Sequence, residues 1–219
     1  RKEGGKCYCA LYELADKELA EAIMACQGRV EVILANANGS KKVTLPDGKK
    51  KNQKVYDGTN AKFRKALRKT LGHDLHDRML KGNHIGHNKF IVYVGPGGKP
   101  QAVTTGSTNW TPTGLCAQTN NVVILEDQKI AARFLDYWNK LLNDQAGQNG
   151  DLRKANAQDP PDQNLGPKQG SARIWFSPNT KRKSKPKSNP PSPPDMAEVF
   201  ELIDNAKQGV LFLLFSAGR

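Results

Sequence analysis

Two short segments decide the fold of this chain: GHNKFIVYV at residues 86–94 and TGSTNWT at residues 105–111. The side chains of residues 90–94 are apolar, β-branched or aromatic, a pattern that predicts a buried strand. Residues 95–98 are turn formers, and residues 101–105 are predicted to return as the second strand of a hairpin. The two segments are therefore expected to lie side by side.

Polar side chains cluster where the two predicted strands meet. Alternate side chains of a strand share a face, so His87 and Lys89 are predicted to point the same way. The returning strand ends at Gly106, and Ser107 and Asn109 follow it closely. An imidazole, an ammonium, a hydroxyl and a carboxamide in one place suit a phosphate, because they supply a nucleophile or acid, a positive charge and neutral hydrogen-bonding groups.

At these positions the sequence resembles the phospholipase D superfamily, whose motif is HxKxxxxD followed by a G-[SG]-x-N segment. Five residues match that motif position by position: His87, Lys89, Gly106, Ser107 and Asn109. The aspartate of the motif is replaced by Val94, and no acidic residue occurs between His87 and Glu126. The resemblance is specific over about residues 73–126 and rests on topology elsewhere.

The resemblance implies an α/β fold in which a mixed sheet is flanked by helices, the α-β-α sandwich of phospholipase D-like proteins. Residues 1–145 are expected to form one complete half with both motif segments. Residues 146–194 are expected to be a basic, low-complexity linker with a short strand near 172–177. Residues 195–219 are expected to open a second half that is truncated here.

The same resemblance implies a phosphodiesterase that hydrolyses or transfers a phosphodiester through a phosphohistidine, without metal or cofactor. His87 is expected to be the nucleophile or the general acid. Lys89, Ser107 and Asn109 complete the expected catalytic set. Lys89, Gly106, Ser107 and Asn109 are also expected to bind the substrate, with Ser107 steadying the site by hydrogen bonds. Phospholipid is the expected substrate; the alternatives are a nuclease of the same superfamily and a non-catalytic scaffold that binds polyanions.

A partner is implied because the family mechanism uses two histidines from two motifs, and this chain carries one HxK. The second motif is expected from sequence beyond residue 219. A homodimer is the less favoured alternative. The chain alone is therefore expected to be inactive. No apolar run approaches the roughly 20 residues of a membrane-spanning helix.

The net charge of the 219-residue chain is +13, which favours an anionic partner such as nucleic acid or anionic lipid. Much of the excess lies in residues 41–54, 62–69 and 181–187, where Asp47 is the only acid. All three stretches are interpreted first as solvated basic surfaces. The alternative for residues 62–69 is a phosphate-binding helix face, and the alternative for residues 181–187 is a nuclear-import or nucleic-acid tag.

Clustered histidines suggest a rival hypothesis, a zinc site. His73, His76, His84 and His87 fall within fifteen residues, with Asp74 and Asp77 nearby. The three-residue spacing places side chains on one face of a helix but on opposite faces of a strand, which argues against it. The four cysteines, at positions 7, 9, 26 and 116, have neither metal nor redox spacing and are interpreted mainly as small core side chains.

Hydrophobic periodicity and turn residues predict the remaining elements. The expected strands are residues 6–11, 30–34, 122–125, 173–176 and 210–215. The expected helices are residues 13–27, 60–71, 129–142 and 196–207, the last capped by Asp195 and facing inward through Val199, Phe200 and Ile203. Residues 36–58 are expected to be a basic loop or loose hairpin, and residues 145–171 a linker.

Overall fold

A computed structural model describes residues 4–81, 84–144, 150–158, 160–167, 170–180 and 192–212. The chain divides into two compact units, Arg1–Asn149 and Gly150–Arg219. In the first unit the strands are β1 Lys6–Leu11, β2 Val30–Ala35, β3 Gly39–Thr44, β4 Lys50–Val55, β5 Leu75–Arg78, β6 Lys89–Val94, β7 Pro100–Gly106 and β8 Val122–Leu125. Its helices are α1 Lys17–Met24, α2 Ala61–Leu71, α3 Pro112–Cys116 and α4 Gln128–Asn143.

Six of these strands form one mixed sheet in the order β5-β2-β1-β6-β7-β8. Strands β5, β2 and β1 run parallel to one another, while β6, β7 and β8 join by antiparallel pairing. Because β6 is antiparallel to β1, the carboxyl ends of β1 and β2 lie at the same edge as the start of β6 and the end of β7. We call this edge of the sheet the site edge.

Helices cover both faces of the sheet. On one face α1 and α2 pack over alternate side chains of β1 and β2, and the core includes Leu11, Val32, Ile23 and Leu67, none more than 6% exposed. On the other face α4 packs against β7, β1 and β6. There the Nε1 of Trp138 donates a hydrogen bond to the main-chain oxygen of Cys9 at 2.9 Å. The predicted α/β sandwich with a mixed sheet is confirmed.

The elements predicted in the first unit are largely those observed, with three differences. The first helix begins at Lys17 rather than residue 13, because the Asp16 carboxylate caps it by accepting from the Leu19 main-chain nitrogen at 3.0 Å. Strand β5 and the five-residue helix α3 were not predicted. Both are short, and β5 has only one fully apolar position, Leu75, so neither has a clear hydrophobic period.

Strands β3 and β4 form a separate two-stranded antiparallel hairpin between β2 and α2. This confirms the hairpin alternative for residues 36–58. We call these two strands the basic ribbon.

The second unit contains α5 Gly150–Asn156, β9 Gln163–Gly166, β10 Gly170–Ala172 and α6 Pro194–Asp204. The interpretation of residues 145–171 as a linker was therefore wrong, since a helix and most of a small hairpin lie there. The short strand ends at Ala172, and residues 173–176 are not in a strand. Arg173 is instead held by Asp162, whose carboxylate accepts from its Nε at 2.8 Å.

Helix α6 begins after Pro193, so Asp195 lies in its first turn rather than at its cap. Its expected inward side chains are not buried: Val199 and Phe200 are 42% and 47% exposed. The expected strand at 210–215 is not formed over residues 210–212, and its remaining residues lie outside the described part of the chain. The assignment of residues 195–219 to the start of a second half stays a prediction.

Candidate functional site

The two motif segments meet at the site edge. Lys89 opens β6 and pairs with Leu11, the last residue of β1. On its other side β6 pairs with β7, where Phe90 lies opposite Thr105 and Gly106 ends the strand. The hairpin predicted from sequence is therefore present, and it brings the HxK segment and the start of the GSTN segment to one edge.

Gly86 and Asn88, the two neighbours of His87, hold the HxK segment in place. Gly86 is packed so closely that an added Cβ would lie 2.8 Å from the Cβ of Ala35. The main-chain oxygen of Asn88 accepts from the Tyr12 nitrogen at 2.8 Å, and its side chain hydrogen-bonds to Tyr137 of α4. These contacts hold the backbone between His87 and Lys89 against both β1 and α4.

His87 and Lys89 both lie against the ring of Tyr12. This agrees with the prediction that the two side chains point the same way, although β6 begins at Lys89 and His87 precedes it. The imidazole lies against the Tyr12 ring with centroids 4.9 Å apart, and the Lys89 Nζ lies 5.4 Å from the centroid of that ring. The Lys89 ammonium also donates to the main-chain oxygen of His87 at 3.2 Å.

The charge of Lys89 is held in a largely desolvated position. The residue is 8% exposed, and burial lowers its pKa to about 8, while Glu13 acts in the opposite direction. Desolvation followed by the nearby Lys89 charge lowers the pKa of His87. Because both shifts favour the uncharged forms, His87 is biased toward a neutral imidazole, while its side chain stays open to solvent.

Tyr12, Glu13 and Asn60 are site residues that the sequence analysis missed. Asn60 is fully buried and binds the Tyr12 segment on both sides: its Nδ2 donates to the Tyr12 oxygen at 2.7 Å, and its Oδ1 accepts from the Leu14 nitrogen at 2.9 Å. Desolvation raises the pKa of Glu13, and Lys89 opposes that shift. No motif marks these residues, since they meet the HxK segment through tertiary packing.

The second motif segment turns sharply after β7. An added Cβ on Gly106 would lie 2.2 Å from the main-chain oxygen of Asn121, so this position requires glycine. The Ser107 hydroxyl donates to Asn120 Oδ1 at 3.1 Å and accepts from the Asn121 nitrogen at 2.9 Å. Ser107 is thus engaged in holding the turn, and Asn120 is a further position that the sequence analysis did not single out.

Asn109 carries a polar atom with no partner. Its side-chain Oδ1 is buried and lacks a hydrogen bond among the residues that the structure describes. A buried amide atom without a partner is costly, and a ligand group is one way to satisfy it. Over the same described part of the chain, neither Ser107 nor Asn109 hydrogen-bonds to His87 or Lys89.

A small pocket with an empty volume of about 240 Å³ opens between the ends of β6 and β7. It joins Lys89 of the first motif to Gly106 of the second. Its lining consists of Lys89, Phe90, Ile91, Thr104, Thr105, Gly106, Thr108, Trp110 and Val122. An anion in this pocket would lie close to the positive charge of Lys89.

Val94, at the position of the motif aspartate, lies at the other end of β6. It is 7% exposed and pairs with Lys6 and Pro100. It lies five positions after Lys89, which is roughly 17 Å along the strand. The substitution therefore removes no group from the site edge.

The four histidines lie in different surroundings. His76 Nε2 is 3.1 Å from Glu31 Oε2, exposed His73 faces Asp74, and His87 lies on Tyr12. Across the described part of the chain, no three side chains of the histidine, cysteine, aspartate and glutamate types gather as a metal-binding group. The clustering in sequence is thus not a clustering in space.

A family model described as "Cardiolipin synthase, PLD-like domain" matches residues 4–142, which is most of the chain and contains both motif segments. The chain belongs to the phospholipase D-like superfamily. Its members are phosphodiesterases, so this phospholipase D-like chain is placed in a superfamily that acts on phosphodiesters. No curated protein matches the sequence.

Three solved structures are similar to this phospholipase D-like chain at low identity. A phospholipase D family member, Nuc from Salmonella typhimurium, is 19% identical, with 64% of this chain and 78% of that chain covered at a TM-score of 0.43. NucT from Helicobacter pylori is 18% identical, with 65% and 81% covered at 0.42. Polyphosphate kinase from Porphyromonas gingivalis is 14% identical, with 65% and 18% covered at 0.39.

Among the described residues of the phospholipase D-like chain, no helix has both the length and the apolar character needed to cross a bilayer.

Proposed function

We propose that this phospholipase D-like chain carries one half of a centre that hydrolyses or transfers phosphodiesters, with His87 as the nucleophile. The observation that carries the proposal is the shared contact of His87 and Lys89 with Tyr12, which places a solvent-open imidazole beside a desolvated ammonium. Membership of a phosphodiesterase superfamily supports the assignment of that pair to a phosphate group.

The reaction takes two displacements. A neutral ring nitrogen of His87 attacks phosphorus, the bond to the leaving oxygen breaks, and a second histidine protonates that oxygen. Water or an alcohol, deprotonated by the second histidine, then attacks the phosphohistidine and releases His87. Hydrolysis and transfer differ only in which hydroxyl enters at this stage.

The lowered pKa of His87 supports the nucleophilic role over the acidic one. Attack needs a free lone pair on the imidazole, whereas general acid catalysis needs a protonated ring. Because desolvation and the Lys89 charge both lower the pKa of His87, protonation is disfavoured before the substrate binds. The acid is therefore assigned to the partner histidine.

The remaining motif residues hold the phosphate and the turn. Lys89 is proposed to bind a non-bridging oxygen, where a desolvated positive charge interacts strongly with developing negative charge. Asn109 is proposed to donate a hydrogen bond from its side-chain Nδ2 to a second oxygen. Gly106 and Ser107 shape the turn that leads from β7 to Asn109.

The second histidine is proposed to come from a second motif half that packs near strand β8. Strand β8 is an edge strand of the sheet and lies next to Ser107. Its Val122 and Ile124 side chains are 57% and 65% exposed. An unpaired edge with exposed apolar side chains favours association with another chain or domain. A half in the same polypeptide is preferred over a homodimer, as expected from the sequence.

Two substrate classes share the phosphodiester group that this site would bind. Phospholipid is the class favoured by the motif alone. Nucleic acid is the second candidate, and the exposed lysines of the basic ribbon favour it, since the ribbon follows β2, whose carboxyl end lies at the site edge.

The test is a search for the covalent intermediate in a protein that contains both motif halves. With a generic phosphodiester, mass spectrometry after rapid quenching at alkaline pH should find His87 carrying the phosphoryl group with its remaining ester, after loss of the leaving alcohol. His87→Asn should abolish the adduct, and His84→Asn, a change at an exposed histidine outside the motif, should retain it. Turnover without any adduct at His87 would refute its nucleophilic role, and no turnover in the complete protein would support a non-catalytic scaffold.

A further inference from the structure

The basic ribbon has two chemically different faces. Residues that lie opposite each other in an antiparallel pair share a face. Ser40 lies opposite Lys54, Lys42 opposite Asn52 and Thr44 opposite Lys50, so these six residues form one face, which we call the polar face. It carries three lysines and three hydrogen-bonding side chains, with no acidic and no apolar residue.

The other face of the ribbon is mixed. Lys41 pairs with Gln53, Val43 with Lys51 and Gly39 with Val55, so valines interrupt the lysines. Lys49, in the turn, forms a salt bridge with Asp47 at 3.4 Å. Among the residues that the structure describes, the five lysines of β3 and β4 form no salt bridge. These five lysines and Lys49 are all exposed.

The ribbon is firmly joined to the site edge. It follows β2, whose carboxyl end lies at that edge, and Asp57 at its base accepts from the Ala37 nitrogen at 3.2 Å and from Arg64 Nε at 2.6 Å. Gly39 and Gly58 approach so closely that a Cβ on Gly39 would lie 2.8 Å from the Gly58 carbonyl carbon. Asn60 then links this base to Tyr12, the residue that His87 and Lys89 contact.

We propose that the polar face of the basic ribbon binds the phosphate backbone of a nucleic acid and holds it next to the site edge. This proposal names nucleic acid as the substrate class of the site. Its relevance to catalysis rests on the proposed function. Lysine, serine, threonine and asparagine are the side chains that contact DNA phosphates, and the major groove admits a two-stranded ribbon.

The composition of the polar face favours nucleic acid over an anionic bilayer. Surfaces that bind membranes combine basic residues with apolar or aromatic side chains that enter the headgroup region. The polar face has none, and the valines of the ribbon lie on the mixed face. Unpaired, fully solvated lysines on an extended ribbon instead match a regularly charged polymer.

Two triple variants with equal loss of charge test the proposal in the chain of residues 1–219. Lys42→Gln, Lys50→Gln and Lys54→Gln neutralise the polar face; Lys41→Gln, Lys49→Gln and Lys51→Gln are the matched control. Affinity for a fluorescein-labelled 20-base-pair DNA duplex is measured by anisotropy across a salt series. Circular dichroism verifies that both variants fold.

The polar-face triple should lower the affinity by about two orders of magnitude at 0.1 M salt and reduce the slope of log affinity against log salt by about three. The control triple should lower the affinity by no more than about tenfold. Equal loss in both variants, or no loss in the polar-face triple, would overturn the proposal. So would ribbon-dependent binding to vesicles of phosphatidylcholine and phosphatidylserine with no binding to DNA.

The outcome can be separated from that of the catalytic proposal. DNA affinity should be unchanged in His87→Asn, since His87 is outside the ribbon. Turnover of bis(4-nitrophenyl) phosphate, which is too small to need the ribbon, should be unchanged in the polar-face triple of the complete protein. Loss of that turnover would show that the ribbon acts on the site itself and overturn its role as a docking surface.

Discussion

The Lys89 ammonium donates a hydrogen bond to the main-chain oxygen of His87 at 3.2 Å, and both side chains contact the ring of Tyr12. The two motif residues are thus coupled by a main-chain hydrogen bond and by one aromatic ring. This coupling fixes a positive charge beside an accessible imidazole and underlies the predictions that follow.

Replacing His87 by asparagine should remove the nucleophile without disturbing the fold. In a protein that contains both motif halves, we expect turnover of a generic phosphodiester to fall by more than about three orders of magnitude. The thermal midpoint should stay nearly unchanged, because the side chain is exposed. Steady-state kinetics and thermal denaturation measure the two effects. Wild-type turnover in His87→Asn would remove the mechanism.

Replacing Lys89 by methionine should abolish most activity and raise stability at neutral pH. Loss of an oxygen-binding charge should reduce turnover by roughly two to three orders of magnitude. Burial holds the pKa of Lys89 at about 8, against its usual 10.5, so keeping the folded state charged below pH 8 is unfavourable. The variant should therefore be more stable by up to roughly 3 kcal/mol at pH 7.

The depressed pKa of Lys89 makes the stability difference between wild type and Lys89→Met depend on pH. Between pH 8 and 10.5 folded Lys89 loses its proton while the unfolded residue retains it, so wild-type stability should rise relative to Lys89→Met. Urea denaturation at several pH values measures the difference. Exposed Lys99→Met is the control, and its stability difference from wild type should not change over this pH range. A constant gap between wild type and Lys89→Met across this window would contradict the depressed pKa.

Adding a methyl group at Gly106 should displace the turn that carries Ser107 and Asn109. A Cβ there would lie 2.2 Å from the Asn121 oxygen, so Gly106→Ala should destabilise the chain by about 1–3 kcal/mol. Gly97→Ala is the matched control, because a Cβ there meets nothing within 4 Å. Chemical denaturation of the two variants tests this, and equal stabilities would show that the turn adapts freely.

Activity should not depend on a divalent metal, because the mechanism places its positive charge on Lys89 and on a partner lysine. Dialysis against EDTA should leave turnover of the complete protein within about twofold of the untreated sample. Elemental analysis of the same samples provides the control. Stoichiometric zinc together with loss of activity on chelation would favour the histidine cluster instead.

Residues 1–219 alone should be inactive as a monomer, because one HxK supplies one histidine. Extending the chain through a second HxK half should restore turnover, and Val122→Lys with Ile124→Lys in β8 should reduce it by disrupting packing of the halves. Exposed Leu45→Lys in the hairpin turn is the control. Light scattering with a nitrophenyl phosphodiester assay decides, and a monomeric chain that turns over at rates typical of the complete protein would refute the two-histidine account.

The sequence by itself determined the hairpin, the two motif segments and the α/β class. Local patterns suffice there, since residues 90–94 form an apolar run, a turn of glycines follows, and the helices at 60–71 and 129–142 carry clear apolar stripes. The same patterns failed in residues 145–176, where short elements have few apolar residues and no legible period.

Only the tertiary structure decided how the site is assembled. Tyr12 and Glu13 meet the HxK segment from a distant part of the chain, and Asn60 holds Tyr12 in place. No local signal marks a contact between residues 48 positions apart, as between Asn60 and Tyr12. It also placed Val94 away from the site and separated histidines that are neighbours in sequence. Periodicity specifies which face a side chain takes within one element, whereas the meeting of elements depends on sheet order and packing.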